Sequence, residues 1–92
     1  MNYIQDLTEN QTVFFNFMKE KYPVYYNSNI FFRDIQYSIK YYYQSKGITL
    51  TYPETENICK EYLEVLVQKG ELAKIDNKSF KVNFKLEVSV LE

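Results

Sequence analysis

Two prolines and two glycines, the residues that interrupt helices most strongly, divide this chain into helix-sized segments. Pro23 ends the first segment, because a proline pushes the residue before it out of the helical backbone region. Gly47 and Gly70 each follow a stretch with helical periodicity and are suited to close a helix in the left-handed conformation. Pro53 fits the first turn of a new helix. These four positions therefore predict three helices.

Apolar residues recur at helical spacing within each segment. The first helix is predicted to begin at Thr8, whose pairing with Gln11 is typical of a capping box, and residues 1–7 are predicted to be a loosely ordered lead-in. Ser28 can cap the second helix. The predicted buried positions are Phe31, Phe32, Ile35, Ile39 and Tyr42 in the second helix and Ile58, Cys59, Tyr62, Leu63, Leu66 and Val67 in the third. The opposite face of the second helix carries Arg33, Tyr37, Lys40, Tyr41 and Gln44.

A β-hairpin is predicted after the third helix. Residues 71–75 form its first strand, Asp76-Asn77-Lys78 is the turn, and strict alternation of apolar and polar residues from Phe80 to Val90 indicates a strand with one buried face. The second predicted strand is longer than the first, so residues 86–92 are predicted to be a strand extension or a tail. They have three possible fates: pairing with a short third strand at Val24–Tyr26, curling away, or joining a second protomer as a homodimer.

The composition limits the classes of function. The net charge is −1, yet basic residues concentrate in segments 28–47 and 71–85 and acidic ones in 48–70. The chain has no histidine and a single cysteine, Cys59, which is expected to be a buried thiol. Neither a catalytic triad nor a metal site can be assembled, so no enzyme and no cofactor are expected. Without a membrane-length apolar run or a signal peptide, the chain is expected to be soluble and cytoplasmic.

This order of elements resembles the winged helix-turn-helix superfamily. The resemblance covers about residues 8–85 and rests on residues 47–52, GITLTY, followed by Leu63 to Leu72, LEVLVQKGEL. In that superfamily a helix typically ends in Leu-x-x-Leu-x-x-x-Gly-x-Leu before the hairpin called the wing. It implies an α+β fold of three helices followed by a two-stranded wing, as one domain over residues 1–92. In style the chain is similar to small winged-helix proteins of phages, archaeal viruses and mobile elements.

The resemblance implies that the third helix enters the major groove of DNA. The groove-facing positions would be Thr51, Tyr52, Thr55, Glu56, Asn57, Lys60 and Glu61. Asn57 would bond adenine, and Lys60 would reach guanine or a phosphate. Phosphates would also be contacted by Lys74, Lys78 and Lys81 of the wing, with help from Arg33 and Lys40.

The third helix departs from this pattern, because Glu54, Glu56, Glu61 and Glu64 give it a negative face that phosphates repel. Two classes of function remain open. The first is DNA binding by a transcriptional regulator or replication accessory factor, to a duplex or to single strands stacked on Tyr37, Tyr41, Tyr43 or Tyr52. The second is a protein-interaction module that docks through the acidic helix and the C-terminal strand without binding DNA.

Overall fold

Residues 2–86 are described by the computed structural model, and they form four helices and one three-stranded sheet. The helices are α1 (Tyr3–Glu9), α2 (Gln11–Lys19), α3 (Phe32–Gln44) and α4 (Tyr52–Gln68). The strands are β1 (Asn29–Phe31), β2 (Leu72–Lys74) and β3 (Ser79–Val82), antiparallel in the order β1-β3-β2. The predicted α+β class is confirmed.

The N-terminal region differs from the prediction. Residues Tyr3–Glu9 are a helix and not a loose lead-in; Asn2 caps it by accepting the Gln5 backbone N–H at 3.0 Å. Thr8 does not cap a helix, since its hydroxyl donates to the Ile4 carbonyl at 2.7 Å. A break at Asn10 separates α1 from α2. The break has a tertiary cause: α1 packs against α4, whereas α2 packs against α3, so the two segments need different directions.

The strand that precedes α3 lies later than predicted. Val24–Tyr26 is not a strand, although Val24 is buried. The chain turns at residues 25–28, where Asn27 takes a positive φ of 72° and the Ser28 hydroxyl donates to the Tyr25 carbonyl. Ser28 is therefore used in this turn and does not cap α3, whose N-cap is Phe31. As the last residue of β1, Phe31 is 48% exposed and does not join the buried stripe.

Strand β3 is shorter than the alternation predicted. It ends at Val82, and the Asn83 backbone N–H then donates to the Glu71 carbonyl. Phe84 and Leu86 are half-buried and pack against the core without strand pairing; the Phe84 ring centroid lies 4.9 Å from that of Phe15. The rest of the predicted strand, residues 87–90, lies outside the described residues, as does most of the 86–92 extension.

Tyrosine and phenylalanine fill the centre of the core. Phe14 is fully buried, and its ring centroid lies 5.1, 5.4 and 5.9 Å from those of Phe15, Tyr42 and Tyr62. The buried phenols have hydrogen-bond acceptors: Tyr43 donates to Asp6 Oδ2 at 2.7 Å, and Tyr62 donates to the Leu7 carbonyl at 3.2 Å. The first bond connects α1 to α3, and the second connects α1 to α4. Of the predicted stripe of α3, Ile35, Ile39 and Tyr42 are buried.

Helix ends agree with the sequence at both glycines. Gly47 and Gly70 have φ values of 82° and 78°, the left-handed conformation expected at helix ends. A capping box is present at the start of α4, whereas the one predicted for the first helix at Thr8 is not formed. Thr51 accepts the Glu54 N–H at 3.3 Å, and the Glu54 carboxylate accepts the Thr51 N–H at 2.8 Å, which lowers the pKa of Glu54.

Candidate nucleic-acid interface

The outer face of α4 is predominantly acidic. Asn57, Lys60 and Glu61 are exposed there, as the sequence predicted. The Lys60 ammonium lies 3.9 Å from the Glu56 carboxylate, one helical turn earlier, and both side chains are well exposed. Glu61 and Glu64 are exposed on the same side of the helix. Because Lys60 is shared with Glu56, this face offers little positive charge to a phosphate.

Thr55 does not belong to this face. It is 1% exposed, and its hydroxyl donates to the Thr51 and Tyr52 carbonyls at 3.2 and 2.8 Å. Its place in the helix explains the burial, since three and four residues later come Ile58 and Cys59, both in the core. The prediction that Thr55 contacts DNA is therefore wrong. Thr51 and Tyr52 are exposed at the start of α4, Tyr52 by 52%.

A groove separates α4 from the hairpin formed by β2 and β3. Its volume is about 430 Å³, and Lys60 of α4 and Lys74 of β2 both line it. Its apolar wall is formed by Phe32, Leu63, Val67 and Phe80. The structure thus brings together one lysine from the helix predicted to enter the major groove and one from the predicted wing. Glu64 of α4 lines the same groove.

The hairpin lysines are divided between two sides of the sheet. Lys74 pairs across the strands with Phe80, whose side chain is buried, so Lys74 lies towards the groove. Lys81 pairs with Ala73 and Asn29, which places it on the opposite, outer side of the sheet. Lys78 is exposed at the turn, where its backbone N–H donates to the Asp76 carboxylate at 2.8 Å and lowers the pKa of Asp76. Lys74 and Lys81, both predicted to contact phosphates, therefore lie on opposite sides of the sheet.

Helix α3 presents a second basic surface. Arg33 and Lys40 lie on its outer face, as predicted, with Tyr37 and Tyr41 between and beside them. The Arg33 guanidinium lies 5.9 Å from the centroid of the Tyr37 ring. The pKa of Arg33 is raised, first by hydrogen bonding to the Tyr37 hydroxyl and also by the nearby Tyr52. Tyr43 is fully buried and cannot stack on a base, so the prediction that included it is wrong.

Two residues outside α3 complete this surface, and the sequence reading missed both. The Lys21 ammonium lies 4.8 Å from the centroid of Tyr41. Tyr22 is half-buried beside it, and its pKa is raised by burial and by the neighbouring Asp34, Tyr41 and Tyr37. We name the set Lys21, Tyr22, Arg33, Tyr37 and Tyr41 the tyrosine–cation surface. The pairing of Lys and Tyr in residues 19–26 is the only sequence signal that could have indicated it.

The single thiol is buried, as expected. Cys59 is 0% exposed and its Sγ donates to the Phe32 carbonyl at 3.7 Å. Burial is the main reason that the pKa of Cys59 is raised, which disfavours the thiolate that a nucleophile requires.

Within residues 2–86, no group of three histidine, cysteine, aspartate or glutamate residues is placed to hold a metal ion. In the same part of the chain, no helix combines the length and the apolar character needed to cross a membrane. Comparison with known proteins does not assign the chain to a family. No family model matches it, and no curated protein or solved structure shows detectable similarity to it.

Proposed function

We propose that this chain is a small winged-helix protein that binds nucleic acid, acting as a transcriptional regulator or a replication accessory factor. The observation that carries the proposal is the order of elements, in which a helical segment, a strand, two helices and a hairpin follow one another. Strand β1 pairs with β3, which ties the hairpin to the helical part of the fold. The hairpin brings Lys74 into the groove that residues 60–68 of α4 line. Lys78 is exposed at the hairpin turn.

In this proposal most of the binding free energy comes from phosphates and not from base edges read by α4. The four glutamates of α4 repel phosphates, so a nucleic acid that approached this helix alone would bind poorly. The exposed hairpin lysines, Lys74 and Lys78, supply the compensating charge together with Arg33 and Lys40 of α3. Asn57 is exposed and remains the side chain suited to bond an adenine.

The proposal is tested by titrating labelled duplex and single-stranded DNA of random sequence with the purified protein and following fluorescence anisotropy. Replacing Lys74 and Lys78 by alanine is expected to weaken binding and to reduce the slope of log affinity against log salt by about 2, because two phosphate contacts are lost. The double variant Lys19→Ala/Lys46→Ala removes the same charge elsewhere and should leave that slope nearly unchanged. If the wild-type protein binds no DNA at low salt, the proposal fails.

A protein-docking role is the second candidate, and the acidic outer face of α4 favours it. Glu61 and Glu64 line a recess of about 450 Å³ together with Ile4, Val65 and Gln68. A partner segment that carries lysine or arginine beside apolar residues would complement this recess in charge and character. The notion that the C-terminal strand also docks concerns residues outside those described.

Charge reversal on α4 separates the two candidates. In the double variant Glu61→Lys/Glu64→Lys, repulsion of phosphates is replaced by attraction, so DNA affinity should rise by at least tenfold at low salt if the chain binds nucleic acid. Under the docking role, the same variant would lose binding to a basic amphipathic probe peptide and would gain no affinity for DNA. Exchange of both residues for glutamine serves as the control that removes charge without reversing it.

A further inference from the structure

Four tyrosine rings that are not fully buried each carry a cation within reach of the ring. In the tyrosine–cation surface these are Tyr41 with Lys21 and Tyr37 with Arg33. Lys19 lies 4.7 Å from the Tyr25 centroid, and Lys85 lies 5.2 Å from that of Tyr26. A cation is weakly attracted to the face of an aromatic ring at an exposed site, so these contacts favour the positions in which both partners are found at the surface.

The tyrosine–cation surface combines the two chemistries that a nucleic-acid strand with unpaired bases requires. Tyr41 keeps 43% of its surface exposed, and Tyr37 is partly exposed one helical turn earlier. One turn separates the two rings by about 6 Å along the helix, a separation comparable with that of successive bases in an extended strand. Lys21 and Arg33 stand at these rings and Lys40 on the same helix face, with Asp34 as the opposing carboxylate.

Building on the nucleic-acid-binding function above, we propose that the tyrosine–cation surface binds single-stranded nucleic acid, with unpaired bases stacked on Tyr37 and Tyr41 and phosphates held by Lys21 and Arg33. A duplex fits this face less well, because its bases are already stacked inside the helix and leave the rings without a partner. No residue of the tyrosine–cation surface lines the groove beside the hairpin, so the hairpin lysines stay available to phosphates while bases are bound on α3. Tyr52, which lies near Arg33, extends the surface towards α4.

The test is a fluorescence-anisotropy titration with three labelled probes of equal length: an oligothymidylate, an oligouridylate and a self-complementary DNA duplex. The double variant Tyr37→Leu/Tyr41→Leu should bind both single strands at least tenfold more weakly, which corresponds to about 1.4 kcal/mol. Its affinity for the duplex should change by less than twofold. The oligothymidylate and the oligouridylate, which differ in the ribose hydroxyl and in the C5 methyl group of the base, show whether the surface distinguishes DNA from RNA.

Two further variants keep the result interpretable. Tyr37→Phe/Tyr41→Phe retains the rings and should retain the single-strand affinity, which excludes a mere loss of folding. Tyr25→Leu/Tyr26→Leu removes two equally exposed tyrosines from the turn before β1 and should bind as the wild type does. Tyrosine fluorescence of the protein, which has no tryptophan, should be quenched by the oligothymidylate in the wild type and less so in the leucine variant.

The outcomes separate this inference from the function on which it rests. Duplex binding with unchanged single-strand affinity in the Tyr37→Leu/Tyr41→Leu variant would overturn the inference and leave the proposed function standing. Equal losses in both leucine double variants would overturn the assignment to this face. Absence of binding to all three probes would overturn the inference and the proposed function together. Self-association that disappears in the Tyr37→Leu/Tyr41→Leu variant, without binding of any probe, would identify the occupant as a second copy of the chain.

Discussion

Raising the pH from about 8 to about 11 is expected to lower the free energy of unfolding by about 5 kcal/mol. Three buried groups cause the loss. Burial, and then the bond to Asp6, raises the pKa of Tyr43 above its ordinary value of 10.0, and burial does the same for Tyr62. Burial also raises the pKa of Cys59 above 9.0. In the unfolded chain these groups release protons near their ordinary pKa values, whereas in the folded chain they stay protonated, so stability is complete below about pH 9 and falls above it.

Urea unfolding at the two pH values measures the difference, and the ultraviolet absorbance of tyrosinate reports which phenols ionise before unfolding. Tyr43→Phe should reduce the pH-dependent loss by about 1 kcal/mol, and Cys59→Ala by about 3 kcal/mol, because each removes one group from the linkage. Tyr41→Phe is the matched control, since Tyr41 is exposed in the folded state. Equal stability at the two pH values would contradict the burial of these phenols and the thiol.

Replacing Phe14 by alanine is expected to destabilise the protein by about 3–5 kcal/mol, which is a large part of the ~5–15 kcal/mol typical of a domain. Phe14 is fully buried and contacts three aromatic rings that come from α2, α3 and α4. Its loss would leave a cavity that these rigid rings fill poorly. Urea unfolding followed by circular dichroism measures the effect.

The neighbouring residue provides the control for this substitution. Val13 is 56% exposed, so Val13→Ala should change the free energy of unfolding by less than about 0.5 kcal/mol. A loss of less than about 1 kcal/mol in Phe14→Ala would show that Phe14 does not occupy the centre of the core. If the alanine variant is unfolded in the absence of urea, Phe14→Leu allows a smaller loss to be measured.

Helix ends were predictable where a single residue determines them. Gly47 and Gly70 were expected in the left-handed conformation and are found there, because no other residue adopts it so readily. The hairpin could also be predicted, since alternation around the turn at residues 76–78 is a local pattern. The break at Asn10 could not be predicted, because it depends on α1 packing against α4 while α2 packs against α3.

The candidate site was predicted where local sequence patterns determine exposure, and not where tertiary packing does. The exposure of Arg33 and Asn57 and the partial exposure of Lys40 follow from helical periodicity. The burial of Thr55 follows from its spacing of three and four residues from Ile58 and Cys59. The separation of Lys81 from Lys74 likewise follows from alternation along the strands. The contact of Lys21 with Tyr41 depends on how the chain turns between α2 and β1, and no local pattern encodes that path.

The position of β3 has a consequence for how the protein is made. This strand occupies the middle of the sheet, although it follows β1 and β2 in the sequence. Ile30 of β1 lies opposite Phe80, fifty residues further along the chain. A ribosome releases β1 well before it has synthesised the strand that pairs with it. Until then both backbone edges of β1 are unpaired, and either can pair with a neighbouring nascent chain; afterwards β3 covers one of them. Closure of the sheet is therefore a late event in folding, because it joins residues that are fifty positions apart in the sequence.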